Sequence, residues 1–111
     1  MIEEITLDKL LYEVFKENKS TVFDVVLQPK IKVKLKLSEV SEQTVSANYE
    51  MFSLIFHGPS EQFLPQAIYN FRHSKIGEFE MFIVPVGRDQ DGFQYQAVFN
   101  RLIKDQKGGD K

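Results

Sequence analysis

Residues 78–101 constrain the fold of this chain more than any other segment, because they form two β-type runs around a polar turn. The first run, residues 79–84, carries apolar residues on both faces. The second, residues 93–99, has one apolar face and one mixed face. The dipeptide Asp91-Gly92 between them is a strong hairpin signal. These residues therefore predict an antiparallel hairpin with a first strand covered on both faces and a second strand half exposed.

Further β-type runs occupy most of the remaining chain. Apolar residues alternate with other types over residues 23–27, 30–37, 50–57 and 67–74, with the period of two that a strand requires. The polar residues 38–49 indicate a loop or a frayed hairpin. We expect a single, mostly antiparallel β domain of about six strands, folded as a small barrel or a sandwich with a short N-terminal helix. Its core is expected to include Phe52, Phe56, Phe82 and Phe99.

The two ends of the chain differ in pattern. Residues 1–19 predict one helix that begins at Thr6 as N-cap and plugs one end or face of the β structure. Its apolar face is expected to contain Leu7, Leu10, Leu11 and Val14, with Phe15 at the margin; a partner-binding amphipathic helix is the alternative. The charged, glycine-rich residues 104–111 predict a disordered tail, which limits the domain to residues 1–103.

Four lysines line one face of the strand predicted over residues 30–37, where Ile31, Val33, Leu35 and Leu37 form the other face. Lysines in such a row typically guard an edge strand against pairing with another chain. The alternative is a cationic face for phosphates or for an acidic partner. We favour edge protection, because this face has no aromatic residue on which a base would stack.

Composition excludes several classes of function. The 111 residues contain no cysteine and carry a formal net charge of −2, which excludes disulfides and thiolate metal sites and argues against a general polyanion binder. We expect no nucleic-acid partner. The first residues lack a basic segment followed by an apolar core, and the sequence has no apolar run of membrane-spanning length. We therefore expect no membrane partner and a cytoplasmic location.

Motifs of catalysis and ligation are absent from the sequence. Neither glycine-rich phosphate-loop pattern occurs, and Gly58-Pro59-Ser60 is not a nucleophile elbow. His57 and His73 are placed on separate predicted strand ends, so their spacing does not indicate zinc binding. The turn at residues 89–92 lacks the spacing of a calcium loop. We expect no enzyme activity, no cofactor and no metal.

The second half of the chain resembles an uncharacterised family of small bacterial β domains, a domain of unknown function. The resemblance covers residues 50–101 well and the first half loosely, and two blocks are its most specific part: Val84-Pro85-Val86-Gly87 and Ala97-Val98-Phe99-Asn100. The chain departs from the family at Ala67, where the family has glycine after the segment Leu64-Pro65-Gln66. The resemblance implies a setting close to phage-tail-like gene clusters and supplies no catalytic residue.

A protein that works by contact needs exposed anchors or an open strand edge. Phe63 and Leu64, in the loop before residue 67, either fold back onto the core or serve as apolar anchors for a partner. The run from Phe93 to Asn100 is a candidate edge strand, with Gln94 and Gln96 on its polar face. We expect an interaction or assembly module that contacts a protein partner or a second copy at one of these places. The alternative is a small-ligand-binding β-barrel with an aromatic pocket.

Overall fold

The computed structural model describes residues 11–46 and 49–102, which form one helix and seven strands. Their bounds in chain order are α1 Leu11–Glu17, β1 Val22–Gln28, β2 Ile31–Val40, β3 Thr44–Ser46, β4 Tyr49–Pro59, β5 Ala67–His73, β6 Gly77–Asp89 and β7 Gly92–Leu102. The predicted N-cap Thr6, the domain limit at residue 103 and the predicted tail 104–111 lie outside the described residues.

Six of these strands close into an antiparallel barrel. Their order around the barrel is β1, β2, β4, β7, β6 and β5, and β5 returns to pair with β1. The short β3 pairs with the start of β4 beyond the end of β2, so residues predicted as a loop or a frayed hairpin extend β2 and add a strand. The predicted fold class is confirmed, and the barrel is the correct one of the two architectures.

Tight turns fix the register of three hairpins. A two-residue loop, Pro29-Lys30, joins β1 to β2. The β5–β6 hairpin closes at the pair His73–Gly77, where Gly77 has φ +100°. The β6–β7 hairpin closes at the pair Asp89–Gly92, and Gly92 has φ +152°. The predicted hairpin and the positive φ of Gly92 are therefore confirmed, and the two loop residues are Gln90 and Asp91.

The barrel interior is filled by large apolar side chains. Phe52 and Phe56 are buried as predicted, and Phe99 is partly buried and stacks on Phe52 with ring centroids 4.8 Å apart. The other buried apolar residues come from every strand of the barrel and from both of its ends: Phe15, Phe23, Val25, Val33, Leu35, Leu37, Leu54, Leu64, Phe71, Met81, Ile83, Tyr95 and Ala97. Packing of this kind supplies most of the stability of a small domain.

Each end of the barrel has its own cover. Helix α1 covers one end, here called the helix end, where the Phe15 ring is within 6.1 Å of the rings of Phe23, Phe79 and Phe99. The predicted plug is confirmed, but Phe15, expected at the margin of the helix face, is its buried residue. At the opposite end, β4 and β5 are not neighbours, so the connecting residues 60–66 cross it. We call this the loop end.

One predicted core residue lies outside. Phe82 is 48% exposed, because alternate residues of β6 point away from the barrel and no second layer covers them in the described structure. The prediction that this strand is covered on both faces is wrong for the same reason. A register shift between Pro85 and Gly87 places a bulge on β6, at a proline that cannot donate to a ladder.

Candidate functional site

The loop end separates the two residues predicted as partner anchors. Leu64 is 1% exposed, and its backbone N–H donates to the Tyr95 hydroxyl at 3.0 Å. Leu64 is therefore a core residue that seals the loop end, and its prediction as a partner anchor is wrong. Phe63 is 46% exposed and packs edge-on against Phe93, with ring centroids 5.0 Å apart. The guanidinium of Arg88 lies over the same Phe93 ring at 5.5 Å.

The predicted edge on β7 is half correct. Residues 92–96 pair with β4 on one side and with β6 on the other. From Ala97 to Asn100 the recorded pairing is with β4, whereas the β6–β7 register ends at the pair Val84–Gln96. Gln94 is therefore not on an open edge, and its side-chain amide donates to Asp89 at 3.2 Å. Beyond Gln96 the described strands give β7 no pairing on the β6 side.

The sequence reading missed an apolar area on the outside of the barrel. Ile68 on β5 pairs directly with Phe82 on β6, and these side chains are 64% and 48% exposed. Val98 on β7 is 54% exposed. If the β6–β7 register continued for two residues past the Val84–Gln96 pair, Val98 would lie opposite Phe82. These three residues are here called the outer patch. The sequence does indicate this patch, because β5, β6 and β7 each carry an apolar residue on the face opposite the core.

A groove opens where β2 and β4 separate. Their ladder runs from the pair Lys36–His57 towards the helix end. In a continued register the next residue to exchange backbone hydrogen bonds with β2 would be Pro59, which has no N–H to donate. Beyond this point β2 and the chain after β4 border a groove of about 570 Å³, here called the lysine groove, whose lining includes Val22, Ile31, Lys32, Lys34, Pro59 and Gln62.

Charges in and beside the lysine groove are mostly cationic. Lys34 pairs with Asp24 at 3.2 Å, while Lys32 and Lys36 have no acidic partner among the residues that the structure describes. On its far side, His57 contacts Asp89 through Nε2 at 3.2 Å. This hydrogen bond, together with those from the backbone N–H groups of Asp91 and Gly92, lowers the pKa of Asp89. Asp89 thereby caps the β6–β7 turn.

His73 is at the helix end, and its contacts are structural. Its Nδ1 accepts from the backbone N–H groups of Lys75 and Ile76, so the proton is on Nε2, which donates to the Thr21 hydroxyl at 2.9 Å. Burial, followed by the charge of Lys75, lowers the pKa of His73. The two histidines are not brought together, and residues 11–46 and 49–102 contain no group of three potential metal-ligating side chains.

The fold and its surfaces define a class: a six-stranded antiparallel barrel with a filled interior and a helix at one end. Its outside carries the outer patch and the lysine groove. Residues 10–99 match the family described as Domain of unknown function (DUF6916). The chain belongs to this family. No curated protein and no solved structure matches it. Among the described helices, none has the length and apolarity to cross a membrane.

Proposed function

We propose that this domain is a non-enzymatic interaction or assembly module that contacts other protein chains, including copies of itself. The observation that carries the proposal is the outer patch, where Ile68, Phe82 and Val98 are each about half exposed or more. Ile68 and Phe82 are directly paired across β5 and β6, and adjoining exposed apolar residues mark interaction sites more often than residues scattered singly do. The interior of the barrel is filled by packed side chains. Apolar surface that a partner could contact is therefore on the outside.

The alternative of a ligand-binding barrel has less support. Such a barrel needs an enclosed apolar pocket of several hundred Å³. Here the interior positions are filled by aromatic rings in mutual contact, such as Phe23 with Phe56 and Phe71. The lysine groove is large enough but lies on the outer surface, and its rim is cationic.

The side chains with suitable chemistry for catalysis serve the fold. His73 holds the turn after β5 and contacts Thr21 beside α1. Asp89 holds the β6–β7 turn and His57. Both are committed to hydrogen bonds that a reacting group would have to give up, which supports contact over turnover as the mode of action.

Partner and setting form the finer part of the proposal. A protein partner or a second copy suits the outer patch, whereas nucleic acid and membrane suit it poorly because it is uncharged and small. An accessory role in a phage-tail-like structure, implied by the resemblance, would use such a patch between neighbouring subunits. The absence of cysteine is compatible with the cytoplasm, where such structures would assemble.

Light scattering after size-exclusion chromatography tests self-association. We expect a mass above the 12.9 kDa of one chain, and a return to that mass in Phe82→Glu, which places a charge in the outer patch. Val86→Glu is the matched control, because Val86 is 50% exposed but is at the β6 bulge, outside both the outer patch and the lysine groove. Both variants should keep the melting temperature of the wild type within the range of surface substitutions.

A heteromeric contact is tested with wild-type and Phe82→Glu baits in extracts of the native host, followed by quantitative mass spectrometry. We expect specific proteins that the wild type retains and Phe82→Glu loses, confirmed with the purified partner. A protein that stays monomeric at all concentrations, and whose partners do not depend on Phe82, would refute the proposal.

A further inference from the structure

The lysine groove contains a stretch of β2 backbone for which the described strands give no pairing on the β4 side. The Leu37 N–H and C=O groups bond to Thr21 and Ser20 on the β1 side. In an antiparallel strand these groups point to alternate sides, so those of Val33 and Leu35 also face β1. The groups of Lys32 and Lys34 therefore face the groove, where the recorded β2–β4 register does not extend.

The lysine side chains do not prevent another strand from pairing with this edge of β2, but they determine which strands can pair. An apolar strand that paired with β2 would strip water from the lysine side chains without compensation. A strand with carboxylates at alternate positions would instead place an acid beside each lysine, because paired strands project alternate residues to the same face. In the described chain only Lys34 of the row already has such a partner, Asp24.

We propose that the lysine groove binds an extended acidic segment of a partner protein, which adds as a short strand to the Ile31–Lys34 edge of β2. The inference rests on the proposed function as an interaction module and names its partner class. Lys32 and Lys34 supply the backbone hydrogen bonds, and the lysine side chains neutralise the acids. Val22, Ile31 and Pro59 line the groove and add apolar contacts for the bound segment.

Acidic protein suits this groove better than nucleic acid does. The described lining of the groove contains no Phe, Tyr or Trp ring for base stacking, and its imidazole, that of His57, is held by Asp89. The chain as a whole carries a net charge of −2, so long-range attraction for a polyanion is weak. The backbone N–H and C=O groups that face the groove can pair with the backbone of an added strand. A nucleic acid has no such backbone to pair with them.

Fluorescence anisotropy with a labelled peptide of alternating glutamate and valine tests the inference. We expect saturable binding that weakens as salt rises and that falls by about tenfold or more in Lys32→Glu. Lys19→Glu is the matched control: it makes the same charge change at an exposed lysine beside the helix end, and its affinity should equal that of the wild type. Phe82→Glu should also bind normally, which separates this site from the outer patch.

Two further peptides distinguish strand addition from simple charge attraction. Methylation of alternate backbone nitrogens removes hydrogen-bond donors without changing charge, and this peptide should bind about tenfold or more weakly. A peptide with lysine in place of glutamate should not bind. Equal binding of the methylated peptide, an equal effect of Lys32→Glu and Lys19→Glu, equally tight binding of a single-stranded oligonucleotide, or no binding of the acidic peptide would each overturn the inference. Assembly that still depends on Phe82 would then leave the proposed function standing.

Discussion

Among the glycines of the described chain, Gly92 is the one whose added Cβ would overlap backbone atoms. Its φ of +152° is one that side-chain-bearing residues rarely adopt. A Cβ added there would overlap the carbonyl oxygen of Gly58 and would lie 3.0 Å from the carbonyl carbon of Gly58 and 3.3 Å from that of Pro59. These are backbone atoms of β4, which pairs with β7 along its whole length, so no single side chain can move to relieve the overlap.

The expected loss in Gly92→Ala has two parts. The backbone conformation costs about 1–2 kcal/mol for a residue with a Cβ, and the forced separation of β4 from β7 resembles overpacking, which costs about 1–3 kcal/mol. The total of about 2–5 kcal/mol is a large fraction of the 5–15 kcal/mol that stabilises a typical domain. Gly77→Ala is the matched control, because Gly77 has φ +100° but nothing within 4 Å of an added Cβ. It should lose only the conformational part.

Urea denaturation of the wild type and of both alanine variants measures the difference. Gly92→Ala should unfold at a lower urea concentration than Gly77→Ala, with a gap in the free energy of unfolding of about 1–3 kcal/mol. In thermal melts each kcal/mol corresponds to a shift of roughly 4–8 °C for a domain of this size. Equal losses in the two variants would refute the reasoning that the approach of Gly58, and not φ alone, requires glycine at position 92.

Three other predictions follow from burial, protonation and charge. Phe56→Ala should lower the free energy of unfolding by about 3–5 kcal/mol, whereas Phe82→Ala should cost about 1 kcal/mol or less; equal losses in urea titrations would contradict the inward and outward faces assigned here. The pKa of His73 is lowered in the folded state by burial and by Lys75, so the unfolded chain binds the extra proton and the free energy of unfolding should decrease as the pH falls below the unfolded value of about 6.5. In urea titrations on either side of that pH, a His73→Gln variant should lose less stability than the wild type, and an identical loss would show that His73 is not the source. Lys32→Glu should change stability by about 0.5 kcal/mol or less; a larger change in thermal melts would mean that the lysine supports the fold itself.

Local chemistry explains what the sequence could predict. The β6–β7 hairpin rests on a two-residue loop and on Gly92, and both signals are in adjacent residues. The alternation of lysine with Val33, Leu35 and Leu37 identified the inner face of β2 correctly, although Ile31, at the start of the strand, is 44% exposed. Pro59 is the last residue of β4, and the β2–β4 ladder does not extend to it because it has no N–H to donate.

Long-range pairing explains what could not be predicted. The choice of barrel over sandwich depends on β1 meeting β5 and on β2 meeting β4, and neither pairing has a signal in neighbouring residues. Phe82 was assigned to the core because an apolar residue on a strand looks the same whether a second layer or solvent lies outside it. Leu64 and Phe63 are adjacent in the loop and have opposite fates, because only the path of residues 60–66 across the barrel decides which one points inward.

The short pairing of β1 with β5, which spans Asp24–Val26 and Asn70–Arg72, closes the curled sheet into a barrel. This pairing is here called the clasp. Its strands are far apart along the chain, so loop-closure entropy places its formation late in folding, after the local hairpins. The same clasp is the natural first site of local opening in the native state. Amide hydrogens of Asp24 and Val26, which face β5, should therefore exchange with deuterium sooner than that of Val25, which faces β2. Each opening would admit water to the rings around Phe23 while every hairpin remains intact.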